Sequence, residues 1–329
     1  MGKLLEVTDL KVGFRIDGKE YLALRGIDFD LNKGETLCIV GESGCGKSVT
    51  SLAIMDLLPV NGRVVDGSIK FKDEELTSLS KKKRREFRGK KIGMIFQEPM
   101  TALNPLLKIG FQLKEALKLH QGITGQEATE KAVEYLDKVG IPEPKARLKQ
   151  YSYQLSGGLR QRVMIAMVLC AEPDIIIADE PTTALDVTIQ AQVLKLLEEL
   201  KNELEIGIIL ITHDMGVVAE VADRVCVLYA GNKCEEGTVD EIFNDPKHPY
   251  TKGLLASVPD IDSETFENNP IPGVFPTIQE EIDGCRFNTR CPVAKDACFN
   301  GKRKIPLVKC SSNHHYICHL GAEYYETKL

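Results

Sequence analysis

Leu4 to Phe14 alternates apolar and polar side chains, the two-residue period of a half-buried strand. Tyr21 to Leu31 repeats the pattern, and Asn32-Lys33-Gly34-Glu35 predicts a turn after it. Thr36 to Val40 is short and wholly apolar, which predicts a strand buried on both faces. A Gly-rich stretch follows, and then a helical period from about Lys47 to Leu58. Lys91 to Phe96 is a further strand candidate. From about Asn104 to Cys170 the period is mostly helical, with breaks at Gly122, Gly125, Gly140 and Pro142 to Pro144. Ile175 to Ala178, Ile206 to Ile211 and Arg224 to Tyr229 predict buried strands, and Val187 to Leu204 a long amphipathic helix. Strands alternating with helices predict a mainly parallel α/β core carrying a helical lobe. Past Val258 the periodicity fades and Pro259, Pro270, Pro272 and Pro276 interrupt the chain. A boundary is expected there, between residues 1–258 and 259–329.

Composition narrows the class. The 329 residues are 43% hydrophobic and 27% charged with no Trp, enough for a large domain with an ordinary core plus a smaller one. A net charge of −6 argues against a basic nucleic-acid-binding surface. No window holds the about 18 apolar residues of a membrane span. Met1 to Glu6 lacks the apolar core of a secretory signal. A cytosolic chain is expected, with any membrane role reached through a partner. The basic run Lys81 to Arg85 reads as the solvated face of a helix or loop.

Gly41-Glu42-Ser43-Gly44-Cys45-Gly46-Lys47-Ser48 has the phosphate-loop pattern between an apolar strand and a helix. Glycines let successive backbone N–H groups point inward as an anion nest, and the helix N-terminus adds its dipole. Lys47 is expected on the β- and γ-phosphates and the Ser48 hydroxyl on Mg²⁺, with Val49 next on the helix. The apolar strand Ile175 to Ala178 ends in Asp179-Glu180. Asp179 is placed to hold Mg²⁺, and Glu180 to polarise the attacking water as general base. Gln97 and His213 each follow a predicted strand, at the edge where parallel sheets place ligands. Each is expected near metal, water or γ-phosphate, against the plainer readings of loop residue and structural histidine.

Leu155-Ser156-Gly157-Gly158-Leu159-Arg160-Gln161-Arg162 resembles the signature motif of ABC transporter ATPases. It carries Leu159-Arg160 where many members have Gln or Met before Arg. The resemblance covers about residues 4–240, in the family's order of motifs. It implies a P-loop NTPase core with a helical subdomain over about 98–172. It also implies an ATP-sandwich dimer, in which Ser156, Gly157, Gly158 and Gln161 face the nucleotide held by the other chain's phosphate loop. Asp186, in Ala184-Leu185-Asp186, matches the family's D-loop, Gln97 its Q-loop and His213 its H-switch. Gln97 then joins Ser48 and Asp179 around Mg²⁺. Phe14 falls where the family stacks an aromatic on adenine, with a core aromatic as the rival reading. Gln97 to Pro105, Asp179 to Gln192 and His248 to Leu255 are similar to segments of bacterial dipeptide and oligopeptide importer ATPases. That subfamily implies membrane permease subunits, a second ATPase subunit (paralogue or self) and an external peptide-binding protein as partners. It places the chain on the cytoplasmic face of the membrane. Nickel or another small solute is the alternative cargo. A soluble ABC ATPase acting on DNA or ribosomes is disfavoured, because the chain has one cassette and no sustained heptads.

Five of the ten Cys lie beyond residue 280: Cys285, Cys291, Cys298, Cys310 and Cys318. A reducing compartment argues against disulfides. The first three are separated by five and six residues, wider than the two to four usual for structural zinc. Thiolates can instead hold an iron–sulfur cluster, which takes four. The importer ATPases with this extension resemble the pattern and imply a [4Fe–4S] cluster on Cys285, Cys291, Cys298 and Cys318. Cys310 is the substitute for the fourth ligand, and zinc, or no metal at all, is the alternative to the cluster.

Overall fold

The computed structural model describes residues 2–183, 185–257, 271–302 and 304–321. The expected boundary at 258–259, with Pro259 and Pro270, lies outside them, as does Ala184. Along the chain come β1 (Lys3–Ile16), β2 (Lys19–Asn32), β3 (Thr36–Val40), α1 (Lys47–Ile54), β4 (Gly62–Phe71), β5 (Glu74–Glu75), α2 (Lys81–Phe87) and β6 (Ile92–Ile95). Next are α3 (Pro99–Ala102), α4 (Ile109–Gln121), α5 (Gly125–Lys138), α6 (Pro144–Arg147), α7 (Gly157–Leu169), β7 (Ile175–Asp179) and α8 (Val187–Leu204). Then follow β8 (Gly207–Thr212), α9 (Met215–Val221), β9 (Arg224–Tyr229), β10 (Asn232–Thr238), α10 (Val239–Asn244), α11 (Pro249–Ala256), β11 (Leu307–Lys309) and β12 (His315–Ile317). None of the described helices is long and apolar enough to cross a membrane.

Two compact units emerge. The first is Met1–Leu4, Leu31–Glu35 and Ser78–Ile211. Here β6, β7 and β8 run parallel, with Ile95 beside Ala178 and Asp179 beside Ile211. Their side chains are buried on both faces, as their unbroken apolar sequence requires. The helical lobe buries Ile109, Leu113 and Leu117 of α4 against Ala128, Ala132 and Leu136 of α5, the spacing of one helix face. Gln112 is buried among them, bonded to Asn104 and to the Leu107 carbonyl. The basic helix α2 buries no residue, as its charge predicted.

The second unit is Leu5–Asp30, Thr36–Thr77 and Thr212–Leu329. It carries an antiparallel sheet in the order β2-β1-β4-β5. It also carries the run β11-β12-β10-β9-β3, in which only β3 and β9 pair in parallel. The helix after the phosphate loop is shorter than its apolar period predicted. It ends at Ile54, because Asp56 turns into left-handed backbone at φ 52°.

Candidate functional site

The loop Gly41 to Gly46 joins β3, buried on both faces, to α1. Gly41, Gly44 and Gly46 have φ of 149°, 84° and 115°. A Cβ on Gly41 would stand 2.2 Å from the Leu228 carbonyl oxygen, so only glycine fits this approach to β9. Lys47, the first residue of α1, is buried, and its ammonium donates to the carbonyls of Gly41 at 2.7 Å and Glu42 at 3.2 Å. Cys45 is buried, which pushes its thiol up despite the nearby Lys47 charge. Ser43, Gly44 and Ser48 are exposed and Val49 is half-buried. Thr50 closes the first turn by donating its hydroxyl to the Gly46 carbonyl.

In the first unit, β7 delivers Asp179, buried, and Glu180 just beyond it. Glu180 has φ 46°, an uncommon conformation for a residue other than glycine. Its N–H donates to the Ile211 carbonyl at 2.9 Å. The Glu180 carboxylate accepts from the Gln97 amide at 3.0 Å and the Thr183 hydroxyl at 2.9 Å. Gln97, two residues past β6, is thus brought to the carboxylate end of the neighbouring strand. Thr183 was not singled out from the sequence; its position in the acidic loop was the available signal.

Ser156 is exposed and N-caps α7, its hydroxyl accepting from the Leu159 N–H. Gly158 lets α7 pack on α8, since a Cβ there would meet Ile189 at 2.6 Å. Arg160 fixes the helix start through the Ser152 and Tyr153 carbonyls, and Arg162 through the Val139 carbonyl and Gln192. Gln161, expected at the nucleotide of another chain, is 1% exposed within this chain. Asp186 is exposed and N-caps α8, accepting from the Ile189 N–H at 3.0 Å. His213 follows β8 and is exposed. Phe14 is half-buried, its ring lying against Gly62 on the paired strand β4, so it is not a fully buried core aromatic.

A glycine nest at a helix start is suited to gripping a polyphosphate, and a strand ending in two carboxylates to holding a metal ion and activating water. The family model described as "ABC transporter" matches residues 24–183. That described as "Oligopeptide/dipeptide transporter, C-terminal region" matches residues 234–298. The chain is 56% identical over 293 residues to the dipeptide transport ATP-binding protein DppD of Bacillus subtilis (strain 168), covering 89% of this chain and 88% of that one. It is 50% identical over 297 residues to the oligopeptide transport ATP-binding protein OppD of Salmonella typhimurium, covering 90% and 88%. The chain belongs to the ABC transporter family. It is an ATP-binding, ATP-hydrolysing transporter subunit of that family, working with Mg²⁺. Among solved structures it is similar to a dimeric ATP-binding cassette in a post-hydrolysis state bound to ADP and Pi. The TM-score is 0.64 at 28% identity, covering 71% of this chain and 98% of that one. It is likewise similar to an ABC transporter component from Clostridium perfringens, at TM-score 0.64 and 29% identity, covering 74% and 92%.

Tyr229, Tyr250, Phe275 and Phe287 form an aromatic cluster, with Tyr229 at its centre 4.6 to 5.1 Å from the other three rings. His248 is buried beside it and N-caps α11, its Nδ1 accepting from the Tyr250 N–H at 3.0 Å. Burial lowers its pKa to about 4, against a smaller opposing pull from Glu235. A folded value below the unfolded 6.5 means the unfolded chain binds the proton first. Stability is then full above pH 6.5 and is lost as pH falls towards 4. The loss amounts to about 3 kcal/mol. Urea midpoints of the wild type and His248→Asn across that window check this. The wild type is expected to lose more on acidification, and equal losses would contradict it.

The C-terminal thiols are packed close. The Cys285 N–H donates to the Cys298 carbonyl at 2.8 Å. Burial raises Cys285 to about 11, and the charges of Cys298 and Cys291 add to it. Cys318 is raised to about 12 by burial, with added pressure from Cys285, Cys291 and Cys298. Cys234 on β10 is also near Cys285 and Cys318, a neighbour not singled out from the sequence. Cys310 is exposed. Among the described residues no group of three or more His, Cys, Asp or Glu is arranged to hold a metal ion, so the geometry supports neither the [4Fe–4S] cluster nor the zinc alternative.

Proposed function

We propose that this ABC ATPase drives import of dipeptides or oligopeptides through separate permease subunits. Its likeness to peptide-transport ATP-binding proteins supports this reading, and the C-terminal match at residues 234–298 carries it. We read residues 1–258 as the nucleotide-binding domain, with the helical subdomain at about 98–172, and 259–329 as the importer extension. Gly41 to Val49 bind the phosphates and Lys47 neutralises them, with Phe14 on the adenine. Ser48, Gln97 and Asp179 offer the oxygen donors that Mg²⁺ takes. Glu180 is the general base, Gln97 and His213 attend the γ-phosphate, and Ser156, Gly157 and Gly158 cap the nucleotide of a second ATPase subunit. Asp186 lies at the same interface. Met100, Leu106 and Phe111 leave apolar surface exposed on the helical lobe, which suits docking of a permease at the cytoplasmic face of the membrane. An external binding protein would deliver the peptide, and nucleic acid has no part.

The four thiols Cys285, Cys291, Cys298 and Cys318 are proposed to hold a [4Fe–4S] cluster. Four thiols in one short extension support it, since a [4Fe–4S] cluster takes four, one at each iron, and its ligands need not converge on one ion. When bound, the cluster would cross-link the extension; the protein's part is to supply and bury the thiols.

The cargo is tested by the ATPase rate of the assembled complex with its binding protein. Dipeptides or oligopeptides are expected to stimulate it, whereas nickel chelates are not. Stimulation by nickel chelates alone would replace peptide by metal as the cargo.

A further inference from the structure

The loop residue Glu42 is held from two sides by residues far along the chain. Its N–H donates to the Tyr250 hydroxyl at 2.8 Å. Its carboxylate receives both arms of the Arg290 guanidinium, at 2.8 and 3.0 Å. The remaining Arg290 donors are also used: Nε to the Pro272 carbonyl at 2.9 Å, and the two terminal nitrogens to the Tyr229 hydroxyl at 3.4 Å and the Ile271 carbonyl at 3.1 Å. The Arg290 side chain is 3% exposed against 30% for Glu42, so the pair is fixed from the arginine side. The Glu42 carbonyl in turn accepts from Lys47 at 3.2 Å and from the Cys45 N–H at 3.2 Å.

A carboxylate in a loop that grips a polyphosphate is a liability, because like charges at short range repel. We propose that Arg290 is a positioning residue for ATP. It neutralises Glu42 and holds the loop, so that the C-terminal extension sets nucleotide affinity. The proposal rests on reading Gly41 to Ser48 as the phosphate loop. A bidentate guanidinium–carboxylate pair suits the task, since it cancels the charge and fixes the carboxylate plane together. Arg290 immediately precedes Cys291, so the ordering of the thiol segment and the grip of the loop are joined by one peptide bond.

The test is Mg-ATP affinity and steady-state hydrolysis of the full chain carrying Arg290→Gln, Glu42→Gln, both, or Lys47→Ala. Arg290→Gln is expected to raise Kd and KM about tenfold, equivalent to about 1.4 kcal/mol, with kcat nearly kept. Adding Glu42→Gln should recover most of that loss, which a purely structural role of Arg290 would not allow. Glu42→Gln alone leaves the Arg290 charge unbalanced and should tighten ATP binding at low salt, a readout that stands even if Arg290→Gln fails to fold. Unchanged affinity in Arg290→Gln, no recovery in the double variant, or weaker binding in Glu42→Gln would each overturn the proposal. Lys47→Ala separates the two levels. If it loses ATP while Arg290→Gln does not, only the role of Arg290 falls. If it binds ATP like the wild type, the phosphate-loop reading falls with it.

Discussion

Glu180→Gln is expected to bind Mg-ATP like the wild type and to hydrolyse it about 10²- to 10⁴-fold more slowly. The two side chains have the same shape, and glutamine keeps an oxygen to accept from Gln97 and Thr183. The backbone at φ 46° is no harder for glutamine than for glutamate, and the N–H bond to Ile211 is untouched. The substitution therefore removes little but the negative charge, which on the proposed reading takes a proton from water. Phosphate release and equilibrium ATP binding, measured on the same preparation, check the split. A wild-type rate would remove Glu180 from the role of base, and lost binding would mean that it acts on the ground state instead.

The second large effect concerns the thiols. Protein purified without oxygen is expected to contain about four iron and four sulfide per chain. Cys285→Ser, Cys291→Ser, Cys298→Ser and Cys318→Ser should each lose them, while Cys310→Ser keeps them. Cys310 is exposed and Cys318 buried, and the test separates the two as fourth ligand. Among described residues 271–302 the only regular element is a short 3-10 turn at Asp296–Phe299, so outside the aromatic cluster of Phe275 and Phe287 a bound cluster would add to what holds the segment. Loss of iron should accordingly lower the thermal midpoint. Zinc, or no metal, in the wild type would cancel the ligand assignment and leave the ATPase intact.

The buried strands and the helical lobe were legible because their apolar periods are clean. The helix Val187–Leu204 has the bounds its pattern predicted. By contrast, β10 reads Asn-Lys-Cys-Glu-Glu-Gly-Thr and gives no strand signal, yet Glu235 and Glu236 on it are buried. Charged and N–H partners, most of them distant in sequence, make this possible. Glu235 accepts from His314 and from the Lys247 and His248 N–H groups, and Glu236 pairs with Lys233, Arg224 and His315. β4 was missed for the opposite reason, since most of its positions are half-buried or exposed. In the site, motifs marked the loop, the carboxylates and the exposed helix starts. They did not mark burial, Gln161 being 1% exposed, and they did not reveal the Arg290–Glu42 pair, which joins positions 248 residues apart.

The central claim is that ATP hydrolysis by this chain powers solute import. The most direct measurement is accumulation of a labelled dipeptide in proteoliposomes that hold the permease subunits and this chain, with binding protein on one face and Mg-ATP on the other. Accumulation that requires ATP and stops with Glu180→Gln is the predicted result. Accumulation that continues without ATP, or at the wild-type rate with Glu180→Gln, would contradict it.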